Sequence, residues 1–186
     1  TVLPEFTFAY RGKVFDPPSQ TSMTQTHSRT TGIISPNENE GLYLPPQAFY
    51  PVSKEEMSHF ELEVTVPKDY TIIGSGQKTR HTQGEQTIYH YKTDFPIHGM
   101  TLTGGPFVKE SRIFDGTEFA LYTYAPNRHH EQFLEAAIEY YKEYTALFGP
   151  YPFDSFRIVE NFFDTGFGMP GYTLLSGALL QMPWVS

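Results

Sequence analysis

The sequence predicts a mainly β fold: a β-sandwich or saddle-like layer first, then the start of a unit that mixes helix with strand. Three observations carry this. Short apolar runs alternate with polar residues at period two over most of the chain, the pattern of half-buried strands. Aromatic residues are abundant, with 16 Phe and 13 Tyr, and they favour pleated surfaces. The 15 Gly and 15 Pro are spread along the chain as turn punctuation between those runs. The period changes to a helical one only beyond Arg128, so we divide the chain into residues 1–117, all β, and 118–186, mixed.

Taken in order, Phe6, Phe8 and Tyr10 alternate as a strand would. Residues 16–40 are polar and read as a long loop. Gly41-Leu42-Tyr43-Leu44 returns to apolar character. Residues 59–67 give the cleanest strand, with Phe60, Leu62, Val64 and Val66 facing one way and Glu61, Glu63 and Thr65 the other. Pro67-Lys68-Asp69 is a turn, and Tyr70 to Gly74 a short strand. Another strand spans 86–92, entered through Gln83-Gly84. Two short candidates lie within 98–114, and 117–124 is a further strand. A helix is expected over 128–148 from the stripe Phe133, Ala137, Tyr141, Tyr144 and Phe148. Asn127 is its candidate N-cap, and Gly149-Pro150 its stop. A strand at 156–160 and an extended edge over 166–176 follow.

The net charge of −8 argues against a nucleic-acid partner, and no Lys/Arg run suits an anionic membrane surface. The longest apolar stretch is far short of the ~20 residues of a membrane helix. With no cysteine, disulfides, thiolate catalysis and Cys-based metal sites are excluded. Zero Cys is compatible with the cytoplasm and with a cell-envelope compartment alike. Neither end looks natural: there is no initiator Met, no signal peptide, and Met182 to Ser186 break off after an apolar run. The chain is expected to be a fragment.

Seven His are present, but none has ligand spacing. A His-Glu-x-x-His zinc helix would put two His on one face, with the Glu as base. The nearest stretch, His130-Glu131-Gln132-Phe133-Leu134, has Leu134 where the second ligand belongs. His129, His130 and Glu131 therefore read as solvated residues of a first helical turn. His27, His59, His81, His90 and His98 are scattered. Ser176-Gly177 lacks the nucleophile-elbow pattern. Gly166-Phe167-Gly168-Met169-Pro170-Gly171 nearly spells the dinucleotide fingerprint, but its last glycine is read as one position off that spacing, and no helix pattern follows. The stretch from Glu160 to Tyr172, with Asp164 as a second carboxylate, has two open readings. It is a strand pair joined by a glycine loop, or a cleft edge where bare glycines let a peptide backbone approach.

At this stretch the chain resembles the zinc aminopeptidases of the membrane alanyl aminopeptidase type, a family of gluzincin metallopeptidases. Tyr50-Pro51, Phe60 to Pro67 and Ile73-Gly74-Ser75-Gly76 are similar to that family's N-terminal β-domain. Tyr141 to Phe148 with Gly149-Pro150-Tyr151-Pro152-Phe153 is similar to the helix and turn that open its thermolysin-like catalytic domain. Phe156 to Glu160 would be the strand after it. The family then carries Gly-Ala-Met-Glu-Asn, whose Glu binds the substrate's free amine. Aligned on Met169, this sequence has Pro170 in that place.

The resemblance implies a zinc peptidase in the full-length protein, with the zinc ligands, general base and oxyanion-stabilising Tyr beyond Ser186. Catalytic and metal-binding residues are thus expected to be absent from this chain. Gly166, Phe167, Gly168, Met169, Pro170 and Gly171 are its expected substrate-binding residues. The expected partners are the rest of its own polypeptide, a peptide substrate and a second copy of itself. A non-catalytic binding or scaffold module is the alternative reading, and a sugar-binding sandwich a third. One Trp argues against the last.

Overall fold

The computed structural model describes residues 6–16, 32–34, 41–52, 56–162 and 166–182. The strands among them are β1 (Phe15–Asp16), β2 (Gly32–Ile34), β3 (Leu42–Leu44), β4 (Glu61–Pro67), β5 (Thr71–Ile73), β6 (Gln77–Gln83), β7 (Gln86–Lys92), β8 (Leu102–Gly105), β9 (Val108–Phe114) and β10 (Thr117–Thr123). Helix α1 (His130–Phe148) follows, then β11 (Ser155–Asn161), β12 (Phe167–Met169), β13 (Tyr172–Ser176) and the single turn α2 (Gly177–Leu180). The fold is mainly β, as the alternation predicts.

Three sheets assemble. One is antiparallel, in the order β1-β2-β3-β8-β5; a second has the order β4-β7-β6; the third, mixed, runs β12-β13-β11-β10-β9. The first two pack on each other through Ile72, Tyr89, Tyr91, Met100 and Leu102, with Leu62, Val64 and Val66 against them. This is the sandwich. Its five-stranded sheet has a second apolar face, because successive strand residues point opposite ways. Ile72 faces the sandwich core, while Ile73 and Tyr43 meet Ala120, Tyr122, Val159, Tyr172 and Leu174 of the mixed sheet. The far face of the mixed sheet, through Phe119, Leu121 and Ile158, takes Phe133, Leu134 and Ile138 of α1.

Buried tyrosines tie these layers with their hydroxyls, which need partners once removed from water. Tyr172 Oη donates to the Thr101 carbonyl at 3.0 Å, and Tyr91 Oη to that of Ile72 at 2.6 Å. Arg157, 5% exposed, reaches from β11 across the seam. Its Nη1 donates to the Gly74 carbonyl at 2.9 Å, between β5 and β6, and its Nη2 to Ser155 Oγ at 2.6 Å.

Several expectations change. Phe6, Phe8 and Tyr10 form no strand and are exposed: alternation without a partner strand to pair with does not make one. Most of the expected loop 16–40 lies outside the described residues, as do His27, Asp164 and Trp184, although β2 falls within that span. The polar strand β6 was not anticipated, because its residues show no apolar alternation. The division at 117/118 falls just after the tight turn Asp115-Gly116 joining β9 to β10. Those two strands pair along their whole length, so β9 shares the sheet of the following α/β unit. Gly116 takes a φ of +76° in that turn, a region glycine enters without cost.

Lys78 is the one residue of β6 that is not exposed. It lies opposite Tyr91 of β7, and the charged groups around it are Arg157, Lys109, Glu118 and Arg80. Burial, then Arg157 and Lys109, lower its pKa to about 8 from the ordinary 10.5. From pH 8 upward the unfolded chain holds a proton that the folded chain releases, so this lysine makes stability rise with pH. The buried tyrosines act oppositely only above about pH 10, where Tyr43, raised to about 12 by burial, stays protonated in the fold. Lys78→Met is expected to raise stability at pH 7 by on the order of 1 kcal/mol and to flatten the rise between pH 8 and 10. Urea titrations at pH 7, 8.5 and 10 measure both effects.

Candidate functional site

The segment from Gly166 to Ser176 folds as a hairpin at the margin of the mixed sheet. β12 and β13 pair antiparallel, Phe167 opposite Leu174, Gly168 opposite Thr173 and Met169 opposite Tyr172. β13 is interior, paired parallel to β11 on its other side, so the single edge strand expected over 166–176 is two strands. Of the two, β12 lies at a margin of the sheet, with one flank unpaired among the described residues. A free strand flank can accept an extended peptide through main-chain hydrogen bonds.

The side chains of β12 take two directions. Phe167 and Met169 pack against the core shared with the sandwich, and Phe167 stacks on Tyr43 at 5.5 Å between centroids with 3° between planes. Gly168 faces the other way, and nothing among the described residues lies within 4 Å of the place its Cβ would take. Thr173 Oγ1 donates to the Phe167 carbonyl at 3.1 Å, fastening the start of the strand to its neighbour.

Pro170 and Gly171 form the hairpin turn. A proline followed by a glycine at positive φ is the signature of a type II turn, and Gly171 has a φ of +82°. Pro170 is therefore a turn residue beyond the edge strand rather than a member of it. It borders a cleft of about 240 Å³ shared with Ser75, Gly76, Thr93, Phe95 and Phe153. The three glycines of this segment do stand at dinucleotide-fingerprint spacing, but they shape a hairpin and no helix opens there.

Glu160 is the carboxylate that the described residues place near this hairpin. It accepts from the Tyr124 amide at 2.8 Å. A Cβ on Gly177 would stand 2.5 Å from its Oε1, so the glycine after β13 makes room for it. Asn161, one residue on and 3% exposed, finds no hydrogen-bond partner for Nδ2 or Oδ1 among the described residues. Sequence patterns did not single it out, because an Asn at a strand end reads as a turn residue.

The histidines stay apart. His129 and His130 sit at the start of α1, where their Nδ1 atoms meet Gln132 Oε1 and the Asn127 carbonyl. Asn127, the expected cap, binds the His129 amide through Oδ1 at 2.8 Å, but the cap position of α1 is His129, two residues on, and no side chain caps it. Glu131 pairs with Arg112 of β9, and His90 with Glu61 across β7 and β4. Among the described residues no group of three His, Cys, Asp or Glu side chains is placed to hold a metal ion.

Beside the edge strand, α1 leaves a groove of about 750 Å³ against the sheet, lined by Phe119, Tyr141, Tyr144, Phe148, Tyr151 and Leu175 among others. The expected stripe is only partly open: Phe133 is buried, while Tyr144 is 56% and Phe148 81% exposed. Tyr140 and Tyr144, both lining the groove, stack at 6.2 Å between centroids.

No protein-family model matches the sequence, and no curated protein does. Solved structures match the fold. A two-domain M1 zinc metallopeptidase variant bound to L-arginine superposes with a TM-score of 0.57 at 15% identity, over 74% of this chain and 36% of that one. An M1 zinc metallopeptidase from Deinococcus radiodurans gives a TM-score of 0.56 at 15% identity, over 78% of this chain and 37% of that one. A variant of the Deinococcus radiodurans enzyme gives 0.55, also at 15%. This chain thus has an architecture found within M1 zinc metallopeptidases. It spans little more than a third of the length of those proteins.

Gly168→Val puts a branched side chain on the open face of β12 without a clash. It is expected to leave stability within about 0.5 kcal/mol of the parent, as read by thermal denaturation. A larger loss would mean that the face is already occupied.

Proposed function

We propose that this chain is the β-module and the opening of the catalytic unit of an aminopeptidase-like zinc metallopeptidase. The observation that carries the reading is the edge strand β12, free on one flank and bare at Gly168, within a fold that M1 zinc metallopeptidases share. In this reading the peptide substrate lies along β12 and pairs with its backbone. Phe167 and Met169 hold the strand against the sandwich, so the edge is rigid before substrate arrives. Pro170 and Gly171 fix where it ends. Zinc, held by residues elsewhere in the full-length protein, would supply a Lewis acid and an activated water.

Pro170 stands where the resemblance would place the amine-binding Glu. It has no carboxylate, so recognition of a free N-terminus is not enforced there. A full-length protein loaded with zinc is expected to cleave both free and N-acetylated peptides, and Gly168→Val to lower kcat/KM at least about tenfold by blocking backbone approach. Strict preference for free N-termini would sink the Pro170 argument. No cleavage of any peptide would favour the alternative, a scaffold module descended from such enzymes.

The aromatic groove beside α1 receives the remainder of the polypeptide in this reading, since the matched structures extend well beyond the shared part. The isolated 186-residue chain should then self-associate through that face. Light scattering is expected to show dimers or larger species that Tyr144→Ser with Phe148→Ser disperses; an unchanged distribution would contradict the assignment.

A further inference from the structure

The seam between the sandwich and the mixed sheet carries more positive charge than the fold offsets. In an acidic chain of net −8 with 13 Lys and Arg, Lys78 feels three of the other cations, Arg157, Lys109 and Arg80, against one carboxylate, Glu118. Strand register explains this. Lys109 lies opposite Tyr122 and Ser155 opposite Glu118. Arg157 lies two residues beyond Ser155, so all five share one face of the mixed sheet. Lys78 stands beside Tyr91 in the β6–β7 ladder, partly buried and within the field of Arg157 and Lys109, and Arg157 bonds the Gly74 carbonyl that leads into the same strand.

The charges are unequally answered. Lys109 is paired with Glu118 at 2.6 Å. Arg157 donates to one carbonyl and one hydroxyl, leaving donors of its five without a carboxylate among the described residues. The Lys78 side chain makes no hydrogen bond or ion pair among them. Buried charges are ordinarily paired, because an unanswered one keeps its desolvation cost. The seam is also reachable: the Lys109 and Glu118 side chains are 40% and 35% exposed.

We propose that this seam binds a small oxyanion, a carboxylate or a phosphate, held by Lys78 and Arg157 with Lys109 at its mouth. The anion would sit between β6 and the β9–β11 face and join the sandwich to the mixed sheet. Its binding is separate from the edge strand β12 and does not depend on peptidase activity. The lowered pKa of Lys78, due first to burial and then to Arg157 and Lys109, accords with a charge left unanswered there.

Calorimetric titration of the full-length protein with inorganic phosphate, and separately with acetate, at matched ionic strength in sodium chloride tests this. Saturable binding of either anion is expected, and the anion that binds tells phosphate from carboxylate. Lys78→Gln should weaken it about tenfold, the worth of one charge-assisted hydrogen bond. Glu118→Gln should tighten it by removing a competing carboxylate. Binding of neither anion, or affinities unmoved in Lys78→Gln while thermal denaturation shows it folded, would overturn the proposal.

Discussion

The mixed sheet is apolar on both faces, and the rest of the structure follows from that. β10 turns Phe119 and Leu121 to one side and Ala120 and Tyr122 to the other, all of them buried. A strand of this kind cannot lie at a surface, since each face left in water forfeits the burial that orders it. One face must meet the sandwich and the other a helix. The five-stranded sheet is likewise two-faced, with Ile72 and Ile73 serving different cores. The molecule is therefore a stack in which each layer needs the next. Tyr172 and Arg157, which bond backbone carbonyls across the seam, give the stack its registration. Apolar contact alone would leave the layers free to slide.

This dependence explains what could and could not be seen in the sequence. Elements whose order is local were legible: β4 and β7 from strict alternation, α1 from its stripe, the turns from Gly84 and Gly149. Partnership between elements was not. Alternation shows that 108–114 is a strand but not which sheet it joins, and β9 went to the mixed sheet because a tight turn at Asp115-Gly116 returns it beside β10. Phe6, Phe8 and Tyr10 alternate just as well and form nothing, because pairing is decided by a partner. β6 escaped notice for the opposite reason: its ladder with β7 orders seven residues of which only Lys78 turns inward.

The candidate site shows the same limit at closer range. The six residues from Gly166 to Gly171 were picked out for their glycines, yet they differ in kind once folded. Phe167 and Met169 are core residues, Gly168 is a bare surface, and Pro170 with Gly171 is a turn. The Pro-Gly pair carries a turn signature of its own, which the alignment on Met169 overrode by treating Pro170 as a strand residue. Asn161 and Arg157 gave no signal at all, since a buried polar side chain becomes conspicuous only when its surroundings are known.

The two faces of the mixed sheet also constrain whatever completes the site. The sandwich closes one face from β10 to β12 through a continuous core. On the other face α1 packs over β9 and β10, and the single turn α2 over β11 and β13, with the aromatic groove between helix and sheet. In the proposed reading a peptide laid along β12 has the sandwich behind it, and its other wall must come from the body that fills that groove. Selectivity would then be shared. The chain described here sets the line and the end of the bound peptide through β12 and its Pro-Gly turn. The groove-filling body sets the depth of the cleft, and with it how many residues beyond the scissile bond can be accommodated.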